Sequence, residues 1–210
     1  MSYLVLVRHG KSEWNALGKW TGWTDIGLSP EGVGEARLAG IQLKDIKFDQ
    51  GFTSVLIRAK ETLEEIKKTI EQVNLPTTEN EALNERNYGD FTGKNKWEVK
   101  EQVGEEEFQK IRRSWDYQLP NGESLKDVYT RVIPYYKEAI LPKLKSGKNV
   151  IIAAHGNSLR ALVKYLEEIP DSEISKLEIG TGEAYVYTIS DEGTVVSKQI
   201  RGANPNAGKV

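Results

Sequence analysis

Two stretches of the chain are apolar without interruption, and each ends at a histidine followed by glycine. Leu4–Val7 leads into the sequence RHG, which contains His9, and Val150–Ala154 leads into the sequence HG, which contains His155. Continuous apolar runs are typical of strands that are covered on both faces, as in a parallel sheet packed between helices. The two histidines of this chain therefore share one predicted position, the carboxyl end of a buried strand.

Helical patterns fill the chain between these runs. The sequence Ser-Pro-Glu at 29–31 supplies an N-cap, a proline at the first helical position and an acidic first turn, and predicts a helix that ends near Lys44. A second helix is predicted within residues 57–73, because its apolar residues recur at helical spacing. That apolar stripe consists of Leu63, Ile66, Ile70 and Val73. Further helices are predicted over about 124–143 and directly after His155.

Strand patterns complete an alternation of strands and helices. Residues 51–55 predict one more strand, and residues 184–190 and 194–200 flank the turn sequence DEG as an antiparallel hairpin. The predicted fold class is α/β: a three-layer α/β/α sandwich with a mostly parallel central sheet and an antiparallel edge strand. In open sheets of this kind ligands bind beyond the carboxyl ends of the strands, where both histidines are predicted to lie.

The chain has no internal repeat and no low-complexity linker, so we interpret residues 1–210 as a single domain. Residues 84–121, approximately, have little strand character and many charged and aromatic side chains. We interpret this segment as an excursion that caps the site. Residues 202–210 are expected to form a short flexible tail.

The composition argues against several classes of function. The formal net charge is −2 and like charges do not cluster in blocks, so neither a nucleic acid nor a membrane surface is expected as a partner. No apolar stretch approaches the roughly 20 residues of a membrane-spanning helix, and no secretory signal is visible, so a cytoplasmic location is expected. The chain has no cysteine, which excludes disulfides and thiolate chemistry.

A lone histidine is most often a hydrogen-bonded core residue, but the neighbours of His9 favour another interpretation. Arg8 precedes it and Gly10 permits close approach of the backbone. Further donors follow at Lys11, Ser12 and Asn15. Such a strand end can present cations and N–H groups to an anion, and nearby cations favour the neutral imidazole with its free lone pair. We therefore interpret His9 as a nucleophile for phosphoryl transfer.

His155 would face the same phosphate from a neighbouring strand and donate a hydrogen bond to oxygens whose charge grows in the transition state. Asn157 follows as a further donor. Metal binding is the competing interpretation of the histidine pair. It is the weaker one, because the chain has no cysteine, no HxxxH sequence and no carboxylate-rich loop, and no metal is expected.

Other charged residues are less distinctive by themselves. Arg58 follows a predicted strand, and its planar guanidinium suits phosphate oxygens, so a role in the site is favoured. Spacing alone indicates surface salt bridges for the arginine pair at 112–113 and ordinary exposure for Lys96. Glu85 is the candidate proton carrier, since phosphoryl transfer to or from a hydroxyl needs a general acid and base. Nothing in the sequence places it beside His9.

These sequences, taken in order, resemble a known family. RHG, TGWTD at 21–25, TSVLIRA around Arg58, LNERNYG around Glu85, the arginine pair and IIAAHGNSLRALVKYL are together similar to the cofactor-dependent phosphoglycerate mutases, a branch of the histidine phosphatase superfamily. The resemblance extends from residue 3 to about residue 201. RHG alone marks the superfamily, whereas TGW, NERNYG and AAHGNSLRALVKYL indicate the mutase branch.

The resemblance implies a role for each matching residue. His9 would become phosphorylated, Glu85 would donate and accept the proton, and His155 would stabilise the phosphoryl group in transfer, with Arg8 and Arg58. The implied ligands of that phosphoryl group are Arg8, Ser12, Asn15, Arg58, Gly156 and Asn157. The implied ligands of the second phosphate or the carboxylate are Thr21, Gly22, Arg86, Tyr88, Lys96, Arg112 and Arg113. The implied substrate-binding set is completed by Gly10, Lys11, Glu85 and Asn87.

The implied activity is that of an isomerase of glycolysis and gluconeogenesis, an intramolecular phosphotransferase that interconverts 3-phosphoglycerate and 2-phosphoglycerate. The implied cofactor is 2,3-bisphosphoglycerate, which primes the enzyme as phospho-His9; no metal is needed. Phospho-His9 would phosphorylate 3-phosphoglycerate, and the resulting bisphosphate would reorient and return its other phosphoryl group. Each phosphate carries about −1.5 to −2 charge at neutral pH, so cations must be concentrated locally at the site.

Two departures from the family accompany this resemblance. Longer members carry an insertion where this chain has a short link over 115–122, so a monomer or a small homo-oligomer is expected. The sequence after Arg201 is short and polar, and a shortened lid is expected to raise hydrolysis of the phosphohistidine.

Two alternatives stay open at this point. A phosphatase of the same superfamily would hydrolyse a small phosphate ester, and would have little use for a second anion subsite. A catalytically idle phosphate-binding module would need cations but neither a nucleophile nor an acid.

Overall fold

The computed structural model describes residues 1–202; apart from Gly202, the predicted tail lies outside the described residues. The strands are β1 (Ser2–Arg8), β2 (Gln50–Thr53), β3 (Thr77–Glu79), β4 (Val150–Ala154), β5 (Ala184–Ile189) and β6 (Val195–Arg201). They form one sheet in the order β3-β2-β4-β1-β5-β6. The first four in that order are parallel, and β5 and β6 continue the sheet as an antiparallel hairpin. The predicted fold class is confirmed, with two strands in the antiparallel part.

Helices cover both faces of this sheet. They are α1 (Glu13–Ala16), α2 (Pro30–Gln42), α3 (Ile57–Thr69), α4 (Lys96–Arg113), α5 (Leu125–Tyr135), α6 (Leu141–Lys145) and α7 (Gly156–Leu166). A π-helical turn, Tyr136–Ile140, joins α5 to α6, so the long helix predicted over 124–143 is present with a local change of pitch. Among residues 1–202, none of the helices has the length and apolar character needed to cross a membrane.

Local signals explain where two of these helices begin and end. The Ser29 hydroxyl accepts the Gly32 N–H at 3.1 Å, so α2 starts at the predicted cap. Val73, by contrast, is not part of the buried stripe of α3. That helix ends at Thr69, the backbone turns at Glu71 with φ of 60°, and Val73 is 57% exposed. The helical periodicity therefore extends further in the sequence than in the structure.

The sheet separates two hydrophobic cores, because alternate residues of each strand face opposite sides. In β1, Leu4 and Leu6 face the core shared with α5 and α7, whereas Val5 and Val7 face the core shared with α2 and α3. A third, smaller cluster lies apart from the sheet. It consists of Trp20, Val99, Phe108, Ile111 and Leu119. Residues 84–121, which we call the cap, contain α4 and supply most of this cluster.

Gly10 lies where the end of β1 passes close to α2. A Cβ at Gly10 would lie 2.1 Å from the Gly32 carbonyl oxygen. The Gly10 N–H donates to the Thr62 hydroxyl at 3.1 Å. Helix packing therefore requires a small residue at this position.

We expect Gly10→Ala to lower the free energy of unfolding in urea by about 1–3 kcal/mol, because backbone atoms must move to admit the methyl group. Gly34→Ala is the matched control. It lies within α2, a Cβ there would meet nothing within 4 Å, and alanine is favoured over glycine in helices by about 0.5–1 kcal/mol. Equal stability of the two variants would contradict the packing argument.

Candidate active site

The pairing of β1 with β4 brings the two histidines together. Arg8 lies opposite Ala154 in the parallel register, and the His9 N–H donates to the Ala154 carbonyl at 2.9 Å. The centroids of the His9 and His155 rings are 5.0 Å apart, with the ring planes at 61°. Both side chains are buried. The adjacency that the sequence predicted is present in the structure.

The hydrogen bonds of His9 define which nitrogen can attack. Nδ1 lies 2.7 Å from the Gly10 carbonyl oxygen. A carbonyl only accepts, so Nδ1 carries the proton and Nε2 keeps its lone pair. Arg58 Nε donates to that Nε2 at 3.4 Å. Burial, together with the charges of Arg58 and Arg8, holds the pKa of His9 well below its usual range, which keeps the ring neutral and nucleophilic.

His155 is fixed by the neighbouring strand on its other side. Its Nε2 lies 2.7 Å from the hydroxyl of Ser54, which follows β2. Its Nδ1 is buried and has no hydrogen-bond partner within residues 1–202. Burial and the charge of Arg58 also hold the pKa of His155 well below its usual range. The result is a neutral ring that is held by Ser54 and has its Nδ1 enclosed by protein.

Glu85 reaches the same pocket, although the sequence alone could not place it there. Its Oε1 accepts three N–H groups: the backbone of Arg86 at 2.7 Å, the backbone of Asn157 at 3.1 Å and the Asn157 amide at 3.0 Å. Its Oε2 lies near the backbone of Gly156. An oxygen that accepts three N–H bonds cannot take up a proton without losing them, so Oε2 is the oxygen suited to proton exchange.

Two arginines, the buried Arg58 and the partly buried Arg8, flank the histidines and are held by backbone carbonyls. Arg58 donates to Thr24 at 3.1 Å and to Gly22 at 2.8 Å, and Arg8 donates to Ile179 at 2.6 Å. Burial lowers the pKa of Arg58 to about 10, which leaves it cationic at neutral pH. Carbonyls satisfy the geometry of a guanidinium without removing its charge, so these residues form a strongly positive floor for the pocket.

The cap carries further cations, and Lys96 and Arg112 lie close enough to Arg8 for its charge to affect them. Lys96 opens α4 and is only 8% exposed, so its interpretation as an ordinary exposed lysine is wrong. Burial, with the charges of Arg8 and Arg112, lowers the pKa of Lys96 to about 7. Arg113 forms an ion pair of 2.5 Å with Glu178, as its spacing had indicated. Lys96, which the cap contributes, is therefore a cation that loses its charge near neutral pH.

An open cleft of about 340 Å³ connects these groups. Its lining contains the predicted residues Arg8, His9, Asn15, Thr21, Gly22, Arg58, Glu85, Tyr88 and Lys96. Lys19 and Trp20 also line it, and the sequence analysis did not single them out. Four cationic side chains and a neutral imidazole nucleophile thus face one opening, an arrangement suited to binding a phosphorylated anion.

Other predicted residues have different partners. Lys11 pairs with Glu31 at 3.0 Å, and the Ser12 hydroxyl caps α1 by accepting the Asn15 N–H. The Asn87 side chain accepts the Gly89 N–H at 2.9 Å. The remaining predicted residues are not among those that line the cleft; they are Arg86, Arg112, His155, Gly156 and Asn157.

The loop that carries Glu85 is held by residues that sequence reasoning missed. Trp23 Nε1 donates to the Glu85 carbonyl at 2.6 Å, and Arg131 Nη2 donates to the same oxygen at 2.9 Å. Arg131 also forms a bidentate pair with Glu123. Arg131 and Glu85 are far apart in the sequence, so no local pattern indicated this contact. Within residues 1–202, no group of three or more acidic or histidine side chains is arranged to hold a metal ion.

Comparison with known proteins agrees with this geometry. Residues 4–200 match the model of the histidine phosphatase superfamily (branch 1). The 2,3-bisphosphoglycerate-dependent phosphoglycerate mutase of Rhodopseudomonas palustris is 49% identical over 197 residues, which cover 93% of this chain and 95% of that protein. The phosphoglycerate mutase of Schizosaccharomyces pombe is 49% identical over 199 residues, 94% of each chain. A mycobacterial glucosyl-3-phosphoglycerate phosphatase shares the fold, with a TM-score of 0.82 at 23% identity over 97% of this chain and 99% of that one.

The match over residues 4–200 shows that the chain, with its two histidines paired at the edge of the sheet, belongs to the histidine phosphatase superfamily. Within that superfamily it belongs to the family of the phosphoglycerate mutases, as the resemblance had implied.

Because the pKa of Lys96 is about 7, anion binding should depend on pH. We expect sulfate, whose charge is constant above pH 5, to bind with constant affinity below pH 6. Above about pH 7 its affinity should fall by up to tenfold per pH unit, since Lys96 must first take up a proton. Titration calorimetry measures this dependence. Lys96→Met should bind sulfate weakly at every pH, and its affinity should no longer depend on pH in this range.

Lys94→Met is the matched control for this prediction. Lys94 is an exposed lysine two residues away, over the Phe91 ring, and its loss should leave the pH dependence unchanged. If sulfate affinity is flat between pH 6 and 9 in the unmodified protein, Lys96 does not titrate in this range.

Proposed function

We propose that the protein interconverts 3-phosphoglycerate and 2-phosphoglycerate through phospho-His9, as a 2,3-bisphosphoglycerate-dependent mutase. The observation that carries this proposal is the continuity of the cleft from His9 to Lys96 of the cap. A substrate with a phosphate beside His9 and a second anionic group toward Lys96 would use both ends. The names of the relatives at 49% identity support the same activity.

The donor set fits the cofactor that those relatives' names state. Arg8 and Arg58 would hold the phosphate at His9, and Lys96 with Arg112 would hold the opposite end of the molecule, because a bisphosphate with a carboxylate needs several cations spread along its length. When bound, 2,3-bisphosphoglycerate supplies the phosphoryl group that primes His9. A cytoplasmic location and a monomeric or small homo-oligomeric state accompany this proposal as predictions.

His9 and Glu85 would share the chemical work. The Nε2 lone pair of His9 attacks phosphorus, an N–P bond forms as the P–O bond breaks, and Glu85 Oε2 gives its proton to the departing oxygen. In the reverse step a substrate hydroxyl attacks phospho-His9, Glu85 takes the hydroxyl proton, and the N–P bond breaks. His155, Arg8 and Arg58 balance the charge on the phosphoryl oxygens during both transfers.

The alternatives account for fewer of these features. A phosphatase that holds one phosphate would not need the buried Lys96, whose burial costs it much of its positive charge at neutral pH. A binding module would not need a histidine held in the tautomer that attacks. The phosphatase is the second candidate, because solved structures of the same fold include phosphatases.

We expect incubation with 2,3-bisphosphoglycerate to leave an acid-labile phosphate on His9, which 3-phosphoglycerate then discharges. The product should be 2-phosphoglycerate, identified by phosphorus NMR, and EDTA should not reduce the rate. His9→Ala should abolish labelling. Release of inorganic phosphate in place of the 2-isomer would overturn the mutase proposal in favour of the phosphatase.

Glu85→Gln should slow phosphoryl transfer by about 10²- to 10⁴-fold, because the amide can neither give nor take the proton. Substrate affinity should change little, since glutamine retains an acceptor for the N–H groups that hold Oε1. Single-turnover discharge of the labelled enzyme separates the two effects. A variant that transfers at the unmodified rate would exclude Glu85 as the proton carrier.

A further inference from the structure

Arg160 is a buried cation in α7 that the mechanism above does not use. It is 3% exposed and does not line the cleft. Its Nη2 donates to the carbonyls of Arg113 at 3.1 Å and Ile174 at 2.9 Å. Its Nη1 donates to the amide oxygen of Asn157 at 3.0 Å. One turn of α7 thus connects Arg160 to a residue that contacts Glu85.

The contact with Arg160 determines which way the Asn157 amide points. A guanidinium has only donors, so it must face the oxygen of the amide. The NH₂ group then faces the other way, where Nδ2 donates to Glu85 Oε1 at 3.0 Å and to the Tyr88 hydroxyl at 3.0 Å. These bonds use both N–H donors of the Asn157 side chain, which are therefore committed to Glu85 and Tyr88 rather than free for a phosphate.

The opposite orientation of the amide would be unfavourable for proton transfer. It would bring Asn157 Oδ1 to about the present Nδ2 position, 3.0 Å from a carboxylate oxygen of Glu85. Two oxygens at that distance repel unless one carries a proton, so a reversed amide favours the protonated form of Glu85. A free amide would also weaken the distinction between a saturated Oε1 and an Oε2 that exchanges the proton.

We propose that Arg160 is a positioning residue that fixes the orientation of the Asn157 amide and thereby keeps Glu85 ready to accept a proton through Oε2. The proposal rests on the proposed role of Glu85 as proton carrier. Arg160 acts only through Asn157 and touches no reacting atom.

The charge balance around Arg160 agrees with a functional requirement. Burial, with the charges of Arg113 and Arg86, lowers the pKa of Arg160 to about 9. A buried cation lowers stability unless its donors are satisfied. Here two carbonyls and the amide accept from the two Nη groups, whereas Nε has no hydrogen-bond partner within residues 1–202. The charged and titratable groups around Glu85 on the surrounding elements are Arg8, Arg58, Arg86, Tyr88, Lys96, Arg131 and Arg160.

The test is the pH profile of one half-reaction, discharge of the phosphorylated enzyme by 3-phosphoglycerate, in which Glu85 must begin without its proton. In Arg160→Met we expect the acidic limb of the discharge rate to move up by about one pH unit, since the carboxylate loses an oriented donor. The plateau rate should fall by about tenfold, with little change in the KM for 3-phosphoglycerate. Arg160→Lys keeps one donor and should restore most of the unmodified profile.

Lys164→Met is the matched control. Lys164 is another cation of α7 that donates to a backbone carbonyl, at Ile169, but it does not contact Asn157. Its loss should reduce stability and leave the acidic limb in place. In an Asn157→Leu background, Arg160→Met should cause no further shift of the acidic limb, because the amide that Arg160 orients is gone.

Each outcome decides the proposal. If Arg160→Met and Lys164→Met lose stability equally and the acidic limb of the discharge rate moves in neither variant, Arg160 has a structural role only. If Arg160→Met does not fold, side-chain amide NMR of the unmodified protein replaces it, and the absence of a fixed contact between the Asn157 NH₂ protons and the Tyr88 ring would overturn the proposal. If the unmodified enzyme is not discharged by 3-phosphoglycerate, the proposed function fails instead, which is a distinct result.

Discussion

The parallel pairing of β1 with β4 is the constraint on which the site depends. Arg8 pairs with Ala154, so His9 and His155, one residue further along each strand, leave the sheet at the same level with their rings 5.0 Å apart. A shift of one residue between the strands would send one ring to the opposite face. The buried apolar residues on both faces of β1 and β4 fix this register, so the two cores of the sandwich hold the histidines in place.

The arginines at this edge of the sheet are held by uncharged hydrogen-bond acceptors. Arg8, Arg58, Arg86 and Arg160 all donate to backbone carbonyls. Such partners orient a guanidinium but leave its charge to act on a ligand, at a cost that is visible in the lowered pKa of Arg58 and Lys96. The same environment keeps both histidines neutral. One electrostatic arrangement therefore concentrates positive charge beside a neutral imidazole, as the proposed phosphoryl transfer requires.

The sequence predicted the parts of this structure that local patterns specify. Continuous apolar runs located β1 and β4, and capping residues located the start of α2. The three polar residues of β3 carry no such pattern, and the strand was missed. The position of Glu85, the burial of Lys96 and the contacts of Arg131 depend on how distant segments fold over the sheet. Periodicity holds no information on those contacts, and for Glu85 and Lys96 the family resemblance supplied what spacing could not.

The cap is stabilised by a hydrophobic cluster of its own, in which Trp20 packs against Val99, Phe108, Ile111 and Leu119, while the histidines stand on a sheet with two separate cores. The two histidines and Glu85, which lies in the cap, thus belong to separately packed parts of the molecule. The hydrogen bonds from Asn157 to Glu85 join these parts and therefore set the distance between the carboxylate and the histidines.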